Sequence, residues 1–194
     1  MTSPYKTWFS ADLHLGHKRI IEFCKRPFSS VEEMDEMLVK NWNDRVQHDD
    51  SVYILGDVSF HRPQKTLSLL KRLNGMLHLV TGNHDWKGLM RSDECRSEFE
   101  WTKDVHRLVV QDKDAQRGSQ EITLCHFPWL VWNKSHHGTW MLHGHSHGNL
   151  PDDPRALRID VGVDCHSYAP VSYSDVKRLM AKKTFKPIDH HGAD

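Results

Sequence analysis

Side chains able to grip cations occur in short motifs that follow one another along the chain: Asp12-x-His14, Gly56-Asp57, Gly82-Asn83-His84-Asp85, His126 and Gly144-His145-Ser146-His147. Asp12 and His14 are two residues apart at the end of an apolar run. In an extended backbone that spacing puts the carboxylate and the imidazole on one face. Asp57 adds a carboxylate whose two oxygens can each meet a different cation and so offset the repulsion between them. In the next motif the Asn83 amide oxygen is a neutral ligand, the His84 imidazole can face a reacting group, Asp85 can orient that ring from behind, and Gly82 allows a tight turn. His126 follows another apolar run, and His145 and His147 again share one side of an extended segment. Any one of these residues could be an ordinary loop or core residue; the ordered set is what a site for two divalent ions requires. Such ions, roughly 3.5–4 Å apart, activate a shared water and hold phosphate oxygens for in-line attack.

Positioning these residues is the work of short β-leaning runs that stop at small, acidic or imidazole residues. They are Thr7–Ser10 before Asp12, Ser51–Leu55 before Asp57, Met76–Val80 before Asn83, Glu121–Cys125 before His126, Thr139–Leu142 before His143 and Leu157–Val161 before Gly162. Each reads as a strand whose C-terminal end carries chemistry, all converging on one rim. Between the early strands a helix is expected over Val31–Val46, from the capping-box spacing of Ser30 and Glu33 and the apolar repeat Met34, Leu38 and Trp42. A second is expected over Gln64–Leu73, stopping at Asn74-Gly75, and a last one from Ser172 with Asp175 as its partner. Leu108–Val110 and Glu121–Leu124 flank a polar stretch containing Gly118, the pattern of a hairpin, so the sheet should be mixed.

Length and composition fit one domain over residues 1–194, with a core of about 5–181 and a loosely held tail from Lys182, in which His190 and His191 are expected to be solvated. Lysine plus arginine and aspartate plus glutamate both total 26, without a polybasic run, which argues against extended nucleic acid or a membrane surface as partner. The opening residues lack a leader pattern, and no window has the roughly 18 apolar residues of a membrane span. Cys24, Cys95, Cys125 and Cys165 form no C-x-x-C pair and read as ordinary buried thiols of a reducing, cytoplasmic protein. Histidine, at 16 residues, is the compositional outlier.

Taken together, these motifs resemble the calcineurin-like metallophosphoesterase superfamily over Asp12 to about Asp164, in its small, compact bacterial and phage form. The resemblance implies an α/β fold of two packed mixed β-sheets flanked by helices. It implies that Asp12, His14, Asp57 and His147 hold one metal and Asp57, Asn83, His126 and His145 the other, with Asp57 bridging. His84 would act near the leaving-group oxygen, with Asp85 positioning it. One departure stands out: where many relatives have an acidic or imidazole residue three places after the bridging aspartate, this chain has Phe60, and a histidine follows at His61. Mixed oxygen and nitrogen ligands without cysteine suit manganese, iron, zinc or nickel better than magnesium or calcium, and manganese is the family's implied choice.

Around this set, His17 and His143 are placed to touch a substrate phosphate or to support a ligand. Trp86, Trp129, Trp132 and Trp140 could form a wall for a nucleobase, although packing is the commoner fate of tryptophan. Lys87, Arg91 and Lys134 could hold a further phosphate, although loop lysines usually only solvate. The expected activity is hydrolysis of a small phosphodiester such as a nucleotide derivative. The alternatives are a nuclease on short or single-stranded ends and a metal-containing binding module without turnover.

Overall fold

A computed structural model describes residues 6–188; His190 and His191 lie outside the described residues. Strands β1 (Thr7–Ser10), β2 (Ser51–Leu55), β3 (Met76–Val80) and β4 (Phe99–Lys103) run parallel, and β9 (Val171–Ser172) pairs antiparallel with β1, giving the order β4-β3-β2-β1-β9. A second sheet has the order β5-β6-β7-β8, from β5 (Val105–Gln111), β6 (Ser119–Cys125), β7 (Trp140–His143) and β8 (Arg158–Asp160). Its β5–β6 pair is the expected antiparallel hairpin, and β6, β7 and β8 are parallel. The fold is therefore α/β with two mixed sheets flanked by helices.

Side-chain alternation along the strands divides the apolar residues between two cores. Trp8, Val52, Ile54, Leu77 and Leu79 face one way, onto α1 (Lys18–Phe23), α2 (Val31–Asn43) and α3 (Pro63–Leu70), through Ile20, Met34, Leu38, Trp42 and Leu69. Phe9, Tyr53, Leu55 and Val80 face the other way and meet Ile122, Leu124, Leu142 and Ile159 of the second sheet. Because β2 is covered on both faces it reads as a nearly continuous apolar run. A short helix α4 (Asp93–Arg96) precedes β4, while α5 (Tyr173–Met180) adds Val176 and Met180 to the inter-sheet core. The segment 127–139 packs against the second sheet, where the Trp129 amide meets the Met141 sulfur and the Trp132 indole donates to the Thr139 carbonyl. Among the described residues no helix is long and apolar enough to cross a membrane.

Helix starts follow their caps. Ser30 accepts from the Glu33 amide, but the Glu33 carboxylate turns back to Ser29 rather than to Ser30, so only half of the expected box forms. At α5 both halves are present between Ser172 and Asp175. The second helix ends at Asn43, three residues before the sequence suggested, and α3 begins at Pro63, whose missing N–H costs nothing in a first turn. Residues beyond Lys182 run against the preceding loop, with the Thr184 amide donating to the Pro154 carbonyl and the Lys186 amide to that of Arg155.

Asp50 sets the register of the first three strands. Its carboxylate accepts from the Lys6 amide (2.8 Å), the Trp8 indole (2.8 Å) and the Gln47 amide (2.9 Å), while its carbonyl accepts from the Met76 amide (2.8 Å). The strands thus start level, with Thr7 beside Ser51 and Ser51 beside Met76, and their chemistry-bearing ends come out together. Burial pushes the Asp50 carboxyl up, but its three donors outweigh that and hold its pKa below the ordinary value. A lowered folded pKa contributes stability that is complete above the unfolded value of about 4 and is lost as pH falls through the folded value. Asp50→Ala should therefore destabilise the protein by about 1–3 kcal/mol at pH 7. The deficit should shrink below about pH 4; urea unfolding at both pH values checks it, and a deficit unchanged at low pH would refute the ionic part.

Candidate metal centre

All the predicted motifs sit where parallel strands end. The Asp12 amide donates to the Gly56 carbonyl and the His14 amide to that of Asp57, each at 3.0 Å, zipping the loops after β1 and β2 together. A parallel bridge between Ala11 and Gly162 joins the two sheets beside them. Of nine left-handed non-glycine residues among those described, five are predicted ligands: Asp12 (57°), His14 (52°), Asp57 (57°), His145 (68°) and His147 (47°). Such backbone is worth roughly 1 kcal/mol or more of strain per residue and persists only where the surroundings enforce it.

The centre of the cluster is Asp57. Its Oδ1 accepts from the His84 amide at 2.9 Å, while its Oδ2 lies 3.6 Å from His14 Nε2 and 3.6 Å from His126 Nε2, with His84 Nε2 at 4.0 Å. These separations are too long for hydrogen bonds. They match two donors on one cation, which at bond lengths of 2.0–2.2 Å stand about 3–3.5 Å apart. His126 Nδ1 donates to the Leu55 carbonyl at 2.7 Å, which leaves Nε2 as a bare lone pair facing the Asn83 Oδ1 at 3.0 Å. Two acceptors then meet with no proton between them, a conflict that a cation removes.

Asp12 completes the arrangement from the opposite side. Its Oδ2 accepts from the His145 amide at 2.8 Å, and its Oδ1 is buried without a partner, as are both ring nitrogens of His14 and Nδ1 of His17. Burial raises the Asp12 pKa well above the carboxylate range, and Asp160, Asp57 and Asp164 add to it against the His145 amide. Burial likewise drives His14 down to about 2, helped by His147 and Arg26, and lowers His126. The chain thus holds neutral imidazoles beside carboxylates short of donors, which is the donor set a divalent cation satisfies. Among the described residues three compact donor groups result, Asp12–His14–His147, Asp12–Asp57–His126 and, behind them, Cys24–His147–Asp164. Glycine makes room for them: a Cβ on Gly82 would lie 2.3 Å from Asp57 Oδ1, and one on Gly144 2.6 Å from Asp12 Oδ2.

Other predicted residues are placed differently. Asp85 does not hold the His84 ring: its buried carboxylate accepts from the amides of Asp57 (2.9 Å), Val58 (2.9 Å) and Gly82 (2.7 Å), clamping one ligand loop to the other. The reason is depth, since Asp85 is fully buried while His84 keeps 43 % of its side chain exposed. The His145 ring is exposed, edge-on to His126 and Phe127, and belongs to none of these compact groups. His17 lies flat on Phe60 at 4.0 Å, and Phe60 also faces His14 and His84. His143 is buried, donates to the Gly144 carbonyl and lines a separate cavity of about 410 Å³ with Asp160 and Cys165. Trp132 and Trp140 pack in the core, Trp86 and Trp129 are exposed, and Lys134 is paired with Glu121. Cys95 and Cys125 are buried, but Cys165 is exposed because its turn opens onto that cavity.

Sequence reading missed Arg26, Asp35 and Asp164. Asp35 accepts from the Gly16 amide and from His61 Nε2 (2.6 Å), so His61 braces the loop beneath the site while Phe60 takes the place beside the ligands. A carboxylate next to Met34, on the buried side of α2, was the available signal. For Asp164 the signal was another strand-end Gly-x-Asp, whereas Arg26 lies in a turn that carries none.

No family model matches the chain. It is 33 % identical to an uncharacterized protein of Methanocaldococcus jannaschii over 187 residues, spanning 93 % of this chain and 94 % of that one. With the gene 66 protein of Mycobacterium phage L5 it shares 31 % identity over 179 residues, 81 % of this chain and 86 % of that protein. The chain belongs to their family. A solved family-sized structure, a protein of unknown function from Aquifex aeolicus, has the same fold: TM-score 0.67 at 24 % identity over 90 % of this chain and 99 % of that one. A phosphopantetheinyl hydrolase from Mycobacterium tuberculosis matches 68 % of this chain and 48 % of its own at a TM-score of 0.32 and 19 % identity, too slight a likeness to carry an argument.

Because Asp12 is a buried carboxylate among carboxylates, Asp12→Asn should stabilise the chelator-treated protein by about 1 kcal/mol. Urea unfolding of both proteins in chelator checks this. A destabilised variant would mean that the chain itself already compensates the Asp12 charge.

Proposed function

We propose that the protein is a dinuclear-metal-dependent phosphoesterase of the calcineurin-like type, hydrolysing a small phosphodiester such as a nucleotide derivative. The observation that carries this reading is the Asp57 carboxylate, one oxygen of which stands 3.6 Å from an imidazole nitrogen on either side without bonding to either. Asp12, His14, Asp57 and His147 would hold one ion, and Asp57, Asn83 and His126 the other, with His145 joining by rotation of its exposed ring. Bound divalent ions, manganese being the first to test, would supply Lewis-acid activation of water and of the phosphate.

The chain's own residues would do the rest. The His84 amide fixes Asp57 Oδ1, which leaves Oδ2 facing the two imidazoles and free to share a cation with them. The carbonyl of Leu55 keeps the proton of His126 on Nδ1 and its Nε2 free. His84, exposed with Nε2 near Asp57, would meet the leaving-group oxygen and give it a proton. Phe60 and Phe127, both partly exposed and in ring contact with site histidines, offer apolar surface to the organic part of the ester.

Chelator-stripped protein should regain hydrolysis of bis-p-nitrophenyl phosphate with manganese, faster than of p-nitrophenyl phosphate, and Asp57→Asn should lose it by at least about 100-fold. Absence of turnover of both esters with several divalent metals would overturn the enzymatic reading. His84→Ala should keep its metals but lose about 10²–10⁴-fold with poor leaving groups, and far less with an activated aryl ester. Equal losses for both leaving groups would rule out proton donation.

A further inference from the structure

Arg26 stands behind the metal centre with its side chain wholly buried, and each of its N–H-bearing nitrogens has a partner. Its Nε and Nη2 donate to the two oxygens of Asp164, both at 2.8 Å; Nη2 also donates to the Asp12 carbonyl (2.8 Å), and Nη1 to the Leu13 carbonyl (2.9 Å) and the Met34 sulfur (3.5 Å). Asp164 Oδ2 in turn accepts from His147 Nδ1 at 2.7 Å. One guanidinium therefore ties the backbone that carries Asp12 to the carboxylate that orients His147, two candidate ligands 135 positions apart.

His147 is shared between two possible donor groups, Asp12–His14–His147 and Cys24–His147–Asp164. Only the first matches the proposed centre. With Nδ1 occupied by Asp164, the imidazole has Nε2 alone to offer, and a protein guanidinium, which never loses its charge, already neutralises Asp164 where the second group would gather. Lysine could supply the charge but not the fork that spans a carboxylate and two carbonyls at once.

We infer that Arg26 and Asp164 are positioning residues for the ion held by Asp12, His14 and His147: together they fix the tautomer and rotation of His147 and exclude a competing thiolate-containing site at Cys24. This rests on the dinuclear reading above. An ion pair serving the fold alone would not choose the tautomer of one ring or the affinity of one metal position over another.

The test uses the full chain as wild type, Asp164→Ala, Asp164→Asn, Arg26→Lys, Arg26→Gln and Lys177→Met, the last removing an ion pair with Asp112 far from the site. In chelator-stripped wild type, nitrogen-15 spectra of the His147 ring should show the proton on Nδ1, and Asp164→Ala should lose that preference; Asp164→Asn, close in shape, carries the same test if the alanine variant does not fold. Cobalt(II) titration of the wild type should show two positions. The Asp164 variants should weaken one by about 10–100-fold and leave the other, with Arg26→Lys shifting the same one in the same direction. Arg26→Gln should gain a thiolate-to-cobalt absorption that disappears when Cys24→Ser is added.

An unchanged His147 tautomer, or equal weakening of both positions in step with thermal stability as in Lys177→Met, would overturn the inference while leaving the dinuclear reading standing. Arg26→Gln without the thiolate absorption would overturn the exclusion role. A wild type that binds no cobalt would overturn the dinuclear reading, and the metal role of the pair with it.

Discussion

Asp57 is buried with only one of its carboxylate oxygens hydrogen-bonded, and its neighbours are imidazoles that burial keeps neutral and another carboxylate short of a partner. A buried carboxylate short of partners is unfavourable and persists only where the surrounding structure enforces it. Much of the surrounding structure reads as the means of holding this arrangement. Asp85 spends its whole carboxylate on three amides of the candidate ligand loops, Gly82 and Gly144 leave the space that carboxylate oxygens occupy, and Arg26 fixes the consecutive carbonyls of Asp12 and Leu13. These supports are polar and local, so they can be rigid without enlarging the apolar core.

Two sheets are needed because no single sheet could surround the cluster. Asp12, Asp57 and Asn83 come from neighbouring parallel strands of the first sheet, and His126 and His147 follow strands of the second. Parallel strands deliver their ends on the same side, and the Asp50 network at the opposite end keeps them level. The loops then meet across the top through the Ala11–Gly162 bridge, which carries sheet-like order into residues with left-handed backbone. Register, a property of the far end of the molecule, thereby becomes ligand geometry at the rim.

How much of this could be read from sequence follows from how local each feature is. The strand-end motifs were legible because each follows an apolar run, although the pleat does not place them: Asp12, His14, His145 and His147 have left-handed rather than the expected extended backbone, and α2 and α5 were legible because Ser30 and Ser172 announce themselves as caps. What escaped depends on distance. Nothing near Arg26 says that its partner is Asp164, and nothing in Gly-Asn-His-Asp distinguishes an aspartate that bonds the next ring from one that turns inward to amides of a neighbouring loop. His143 was expected to touch a phosphate or support a ligand, yet it is the last residue of β7 and packs beneath the rim rather than on it. The exchange at Phe60 and His61 was visible as an anomaly, but its sense, a brace through Asp35 below and an aromatic surface above, required the fold.

That exchange bears on how a phosphate would be held. Residues facing the candidate ligands from β2's loop and the loop before α1 are Phe60 and His17, stacked on each other, and burial lowers the pKa of His17 away from a charged state. Arg26, though close, donates its protons to carbonyls, a carboxylate and a sulfur beneath the site and has none left for a substrate. Phe60, a neutral His17 and a committed Arg26 thus have no positive charge to offer a phosphate anion, and a further cation in this part of the chain is Arg19, whose charge already helps to depress His17. On the proposed reading the attraction next to the candidate ligands would come from the ions themselves, so that substrate binding as well as turnover would depend on the metals. The aromatic surface could then contact the uncharged part of the ester without competing for its phosphate.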